Sequence, residues 1–166
     1  MKVKIKDKNR MKKSLKNIEQ LAKKTATVGY HNKDQIAMIA GVHEFGTRIK
    51  VTDKMRAFLA ANGMPLKNST TEIIIPERSF LRTGAVLAEE DVQKAAEKFI
   101  MDVIIGKKSA EAFLELLGEV LKERIQENAE DLRGPKNHPF TVEMKGENDP
   151  LEDSGKMIDS IEVKVK

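Results

Sequence analysis

Hydrophobic and polar positions recur along this chain with periods that mark out most of its elements. Residues 1–6, MKVKIK, alternate strictly, with Val3 and Ile5 on one face and Lys2, Lys4 and Lys6 on the other. That is the period of a half-buried strand. The last six residues, IEVKVK, repeat it with Ile161, Val163 and Val165 opposite Glu162, Lys164 and Lys166. Two such terminal strands can lie in one sheet, where lysines on the wet faces discourage edge-to-edge aggregation.

Between residues 9 and 24 the period changes. Met11, Leu15, Ile18 and Leu21 or Ala22 form one helical stripe. TATVGYH, residues 25–31, is rich in β-formers and predicts a strand. Asn32 then offers a side-chain cap, with Gln35 three residues later, to a helix whose stripe is Ile36, Ile39, Ala40 and His43. Gly46 closes that helix, since glycine tolerates the left-handed backbone of a helix end. RIKVT predicts a short strand, DKMRAFLAANG a short helix around 53–62, and MPLKNSTT a loop, so that 48–71 reads as an insertion. TEIIIP is a β-branched run ended by Pro76, which has no N–H to give a ladder. After SFLRTG comes the longest helical pattern, Val92, Ala95 or Ala96, Phe99, Ile100 and Val103, ending at Gly106. A second helix opens at Ser109 and carries Phe113, Leu117, Val120 or Leu121, Ile125 and Leu132 before Gly134-Pro135. A glycine followed by a new cap favours a hairpin of two helices over one kinked rod. From Asn137 the chain turns repeatedly up to the final strand. The fold class expected is α+β: a small antiparallel sheet packed against a long amphipathic helix, with additional helices, in one domain spanning 1–166.

Composition narrows the chemistry. The chain holds 166 residues, 40% hydrophobic and 34% charged, with no Trp, one Tyr and no Cys. A chain of this size buries roughly two-thirds of its unfolded surface, enough for one core, and here that core must be aliphatic. Without cysteine there is no disulfide framework and no thiolate metal site. No run of 18 apolar residues predicts a membrane span, and the basic N-terminus lacks the apolar centre of a signal peptide. The net charge of +4 hides an asymmetry. Residues 1–24 carry ten Lys and Arg against Asp7 and Glu19, a net of +8, which leaves 20 basic and 24 acidic residues, a net of −4, in the rest. A basic strand–helix leader at 1–24 thus precedes a mildly acidic body.

Catalytic signals are sparse. His43-Glu44 begins a zinc-helix signature, but no second His follows four residues after the first. His31 and His138 stand near a strand end and in a loop, with no spacing that brings them to His43. There is no nucleophile elbow and no glycine-rich phosphate loop, and Ser154-Gly155-Lys156 lacks the glycines of a Walker loop upstream. Glu89, Glu90 and Asp91 open a helix, where acids offset the peptide dipoles. No catalytic residue, metal ligand or cofactor site is assigned, and an enzyme is not expected. The leader, lysine-rich and without aromatics to stack on bases, reads as a solvated face or as a surface for DNA or an acidic partner. In Ile75–Arg82, IPERSFLR, an apolar pair stands among guanidinium groups. Arg78, Phe80, Leu81 and Arg82 are therefore candidates for a protein interface. The same segment serves equally well to dock the long helix onto the sheet.

Three segments in order, VGYHNKDQIAMIAGVHEFGT, TDKMRAFLAANGMPLKNSTTEIIIPERSFLR and NDPLEDSGKMIDSIEVKV, resemble the tail-completion or virion-morphogenesis family of tailed bacteriophages. The family pattern is a helix ending in His-Glu-Phe-Gly, a β-run into Ile-Pro-x-Arg-x-Phe-Leu, a long helix, and a closing Pro-Leu-x-Asp-(Ser/Thr)-Gly-x-(Leu/Met)-x-x-Ser-Ile. Here these fall at His43–Gly46, Ile75–Leu81 and Pro150–Ile161, and the likeness covers the chain from about residue 25 onward. HPFTVEMKGEND departs from the more regular approach common in relatives, and the N-terminal lysine density exceeds the pattern. The resemblance implies a structural protein at the head–tail junction or upper tail, in the virion and, during assembly, in the host cytoplasm. It implies ring-forming copies, a hexamer among the rings it allows, in contact with connector, tail-terminator or tail-tube proteins. The leader would then face DNA in a central channel or an acidic neighbour. Two other classes stay open: a small nucleic-acid-binding protein, resting on the leader, and a metal-dependent hydrolase, resting on His43 and Glu44.

Overall fold

The computed structural model describes residues 10–32, 34–139, 141–142, 146, 150–151 and 155–166. In chain order its elements are α1 (Met11–Ala22), β1 (Ala26–Gly29), α2 (Gln35–Phe45), β2 (Thr47–Lys50), α3 (Asp53–Ala61), β3 (Glu72–Ile75), α4 (Phe80–Leu87), α5 (Glu89–Ile104), α6 (Ala110–Glu130), α7 (Lys156–Asp159) and β4 (Glu162–Val165). The fold class is α+β, as the periodicities predict.

The strands form two antiparallel pairs rather than one sheet. β4 pairs with β1, in register from Ala26 opposite Val165 to Gly29 opposite Glu162. β3 pairs with β2, from Thr47 opposite Ile75 to Lys50 opposite Glu72. The strand expected at 1–6 lies outside the described residues; the C-terminal strand takes β1 as its partner.

α6, not the helix before it, is the longest element, and it organises the body. Ser109 caps it, accepting from the Ala112 amide at 3.0 Å, which satisfies one of the amides a helix start leaves unpaired. α5 runs back along α6 as the predicted hairpin, with Gly106 at φ +77° in the turn. α4 crosses α6 at Gly84, where a Cβ would stand 2.7 Å from the Ile125 Cα. The β1–β4 pair lies on another face of α6, with Val163 filling the space a side chain at Gly118 would need. Around these approaches the core gathers Ala40 of α2, Phe80 of α4, Ile125 and Ala129 of α6, and Leu151, Ile158 and Ile161 of the C-terminal segment. Phe80 is fully buried, a burial that stabilises by roughly 1.5–3 kcal/mol.

Two local expectations are corrected. The cap of α2 is Asp34, whose carboxylate accepts from the Ala37 amide at 2.8 Å, and not Asn32. SFLRTG does not merely precede a helical pattern: Phe80 already begins a helix, α4. Gly46 ends α2 at φ +65° as expected.

β2, α3 and β3 form an arm. Within it Arg56 donates to the carbonyls of Leu66 (3.3 Å), Lys67 (2.9 Å) and Thr70 (2.7 Å), which binds the loop after α3 back onto that helix. Among the described residues, neither strand of the arm nor α3 forms a substantial packing interface with a helix of the body.

Candidate functional site

The arm has two roots, and they are the two motifs singled out in the sequence. His43–Gly46 leads into β2, and β3 leads out through Ile75–Arg82. The roots meet at Gly46, where a Cβ would lie 2.7 Å from the Glu77 nitrogen and 3.0 Å from the Ile75 carbonyl oxygen. At φ +65° only glycine is unstrained, so both the backbone conformation and the close approach require it. The Arg78 amide donates to the His43 carbonyl oxygen at 2.7 Å and closes the crossing.

Glu44 is the centre of this joint. Its side chain is 2% exposed, and a buried carboxylate needs donors on its lone pairs. Three are present. Leu81 N donates to Oε2 at 2.8 Å; Arg82 N and Arg82 Nε donate to Oε1 at 3.2 and 2.8 Å. Glu44 therefore caps the first turn of α4 from outside that helix, where negative charge also meets the positive end of the peptide dipoles. Arg82 closes the ring of contacts by donating through Nη2 to the Glu44 carbonyl at 3.1 Å and to Glu77 Oε1 at 2.6 Å. These hydrogen bonds from Arg82 to Glu44 and Glu77 raise the pKa of its guanidinium above the ordinary value.

Arg78 anchors the second root to the segment after α6. It is buried, and donates through Nε to the Pro135 carbonyl at 2.9 Å and through Nη2 to the Lys136 carbonyl (3.3 Å) and Asn137 Oδ1 (3.1 Å). Burial lowers its pKa from the ordinary value. Arg78 Nη1 lies 3.2 Å from His43 Nδ1. A guanidinium only donates, so Nδ1 accepts and the proton of this imidazole sits on Nε2. Asn128 of α6 donates to the Phe80 carbonyl at 2.8 Å and holds the start of α4 on the body. Tyr30 donates to the Met157 carbonyl at 2.7 Å. Burial, and then the negative charge of Glu44, push its phenol pKa up.

Of the four interface candidates, Phe80 and Arg78 are spent on contacts within the chain, Leu81 is half-buried, and Arg82 is exposed. Arg82 lies over the Phe45 ring, 5.0 Å from its centroid, and that ring is 66% exposed. Phe45 was not among the interface candidates read from the sequence; its place directly before Gly46 turns it outward when α2 ends. The arm leaves two further large apolar side chains in water, Phe58 on α3 and Ile74 on β3, at 64% and 60% exposure. Ile74 shares its face with Arg48 opposite it, and Arg48 pairs with Glu72 at 3.7 Å.

His31 and His43 do not converge. His31 Nε2 lies 2.8 Å from Thr27 Oγ1, and the Nδ1 atom of His43 faces Arg78. Among the described residues no group of three or more His, Cys, Asp or Glu is placed to hold a metal ion. The third motif, Pro150–Ile161, is described only in part: Leu151, Ile158 and Ile161 are buried, and Gln126 of α6 donates to the Ile158 carbonyl at 3.0 Å. No protein-family model, curated protein or solved structure matches this chain.

Proposed function

We propose that this chain is a structural subunit of a tailed-bacteriophage virion, at the head–tail junction or upper tail, that works by assembling with copies of itself and with neighbouring head or tail proteins. The observation that carries the reading is the joint. Two of the three motifs that resemble the tail-completion family, His43–Gly46 and Ile75–Leu81, are the roots of one arm, locked through Glu44, Arg78 and Arg82. That arm, with Phe45 at its base and Phe58 and Ile74 along it, holds apolar side chains out in water. Apolar surface at the end of a fixed arm is what a subunit needs to reach its neighbour, and a ring follows when such contacts close. The partners on this reading are further copies of the chain and a connector, tail-terminator or tail-tube protein.

The test is an electron-microscopic comparison of particles assembled with the chain, without it, and with Phe58→Asp and Ile74→Asp together. Unjoined heads and tails are expected in the last two cases. Complete particles without the chain would remove the proposal. A second reading, contact with DNA, is favoured by Lys12 and Lys16 of α1 and Lys23 directly after it, which are exposed and form no ion pair among the described residues. Binding to DNA would weaken steeply with salt through counterion release, whereas apolar assembly would persist.

A further inference from the structure

α2 is apolar on the side turned away from the body as well as on the side that meets it. Its buried residues are Ala40 and Glu44, and it packs on α4 and α7. Met38, Val42 and Phe45 lie about 100–160° around the helix from those two, at 100° per residue. Met38 is 62% exposed, close to the value for Phe45. Gly41 falls between them, and a Cβ there would meet nothing within 4 Å. Met38, Gly41, Val42 and Phe45 have the spacing of one helical stripe, and a helix apolar on all sides is normally covered on all sides. Glycine inside a helix costs stability relative to alanine, and among the described residues no neighbour requires it at 41. It leaves a notch, one side chain deep, between two apolar knobs.

The ends of this stripe carry opposite charge. At the N-terminal end Asp34 is exposed; one of its oxygens accepts from the Ala37 amide, and it forms no ion pair among the described residues. At the C-terminal end Arg82 lies over the Phe45 ring. Its Nε and Nη2 donate to Glu44 and Glu77, while Nη1 has no acceptor among the described residues. Between the two ends there is no Lys or Arg, and the one acid, Glu44, is buried.

We infer that α2 packs antiparallel on α2 of a second copy across a two-fold axis, with Met38 of each entering the notch at Gly41 of the other and Asp34 of each reaching Arg82 of the other. A single register does both. Setting Met38 opposite Gly41 also sets Asp34 opposite Phe45, because each lies four residues further out, about 6 Å at 1.5 Å per residue. The missing side chain at Gly41 lets the two helix axes approach closely. Knob and notch belong to the same surface, so the contact is self-complementary and closes as an isologous pair. Charge selects the direction: a parallel pair would bring Asp34 to Asp34 and Arg82 to Arg82, whereas the antiparallel pair matches acid to base at both ends. This inference rests on the assembly reading and specifies one contact for it.

The test is light scattering of the full chain over a concentration series, with three variants, each also melted. Gly41→Leu fills the notch at a position open to solvent. Its melting temperature should equal or exceed that of the wild type, while association needs about tenfold more protein or worse, since the substitution enters the contact twice. Met38→Asp should weaken association at least as much. Asp34→Asn keeps a helix cap and loses the charge; it should weaken association about threefold to tenfold, as two exposed ion pairs do. As a second arm, Met38→Cys and Gly41→Cys proteins, in a chain otherwise free of cysteine, should oxidise to a covalent dimer faster when mixed than either does alone. If the wild type associates and any of the three variants does so equally well, or the mixed cysteine proteins cross-link no faster than each alone, the α2 contact is overturned and the assembly reading stands. A wild type that stays monomeric throughout overturns both.

Discussion

Replacing Glu44 with Gln tests whether that carboxylate serves the fold. The substitution keeps the shape of the side chain and creates no cavity, so the effect isolates hydrogen bonding and charge. In the native joint every contact to the Glu44 side chain is an N–H donor: Leu81 N on one oxygen, Arg82 N and Nε on the other. A glutamine places an NH2 group against at least one of them. In its better orientation it loses the bond from Leu81 N and turns the bond from Arg82 N from charge-assisted to neutral. Hydrogen bonds to a charged group are worth about 1.5–3 kcal/mol and neutral ones about 1 kcal/mol. The two backbone amides alone then give a loss of about 2–5 kcal/mol, leaving the half-exposed Arg82 side chain out of the sum. For a chain of this length that is a fall in melting temperature of about 4–20 °C. Urea unfolding followed by circular dichroism reads the change directly. A variant within about 0.5 kcal/mol of the wild type would refute the claim that Glu44 holds the joint.

Gly84→Ala should cost about 1–3 kcal/mol despite the better helix propensity of alanine, because its Cβ meets the backbone of Ile125; thermal melting checks it. Gly46→Ala combines a strained φ with a contact on the Glu77 nitrogen and should lose about 1–3 kcal/mol, by the same measurement. Asp34→Ala should cost about 1 kcal/mol while Asn32→Ala changes nothing, since only Asp34 caps α2. Tyr30 is the one tyrosine, and its pKa is raised in the fold. Stability is therefore complete below the ordinary tyrosine pKa near 10 and falls above it, at up to about 1.4 kcal/mol per pH unit. The tyrosinate band should appear together with alkaline unfolding, and Tyr30→Phe should remove that part of the pH dependence; a band appearing in the folded chain contradicts it.

The elements that carry a clean period were legible in the sequence. The stripe of α1, the β-branched run of β3, the caps at Gly46 and Ser109 and the turn at Gly106 all follow from local rules, and the structure has them. What was not legible depends on distant partners. Glu44 looked like a helix-end acid or half of a metal pair; what defines it is the start of α4, some 37 residues later in the chain. Phe80 and Arg78 looked equally suited to an interface or to docking a helix. Only the packing of α4 on α6 and of Arg78 on Pro135–Asn137 decides that both face inward. The periodicity of Met11, Leu15 and Ile18 marked a helix correctly but did not say which way the apolar face points. Asn17, a polar residue off the stripe, sets that orientation through two backbone carbonyls. Asp34 displaced Asn32 as a cap because the helix starts at Gln35 and a cap must directly precede it.

The central claim, that this chain acts by fitting against copies of itself and its neighbours, is tested most directly by the light-scattering mass of the purified full chain over a wide concentration range. The account predicts a mass that rises from 18.6 kDa to a closed multiple of it and survives high salt. A mass fixed at the single chain at every concentration would contradict it.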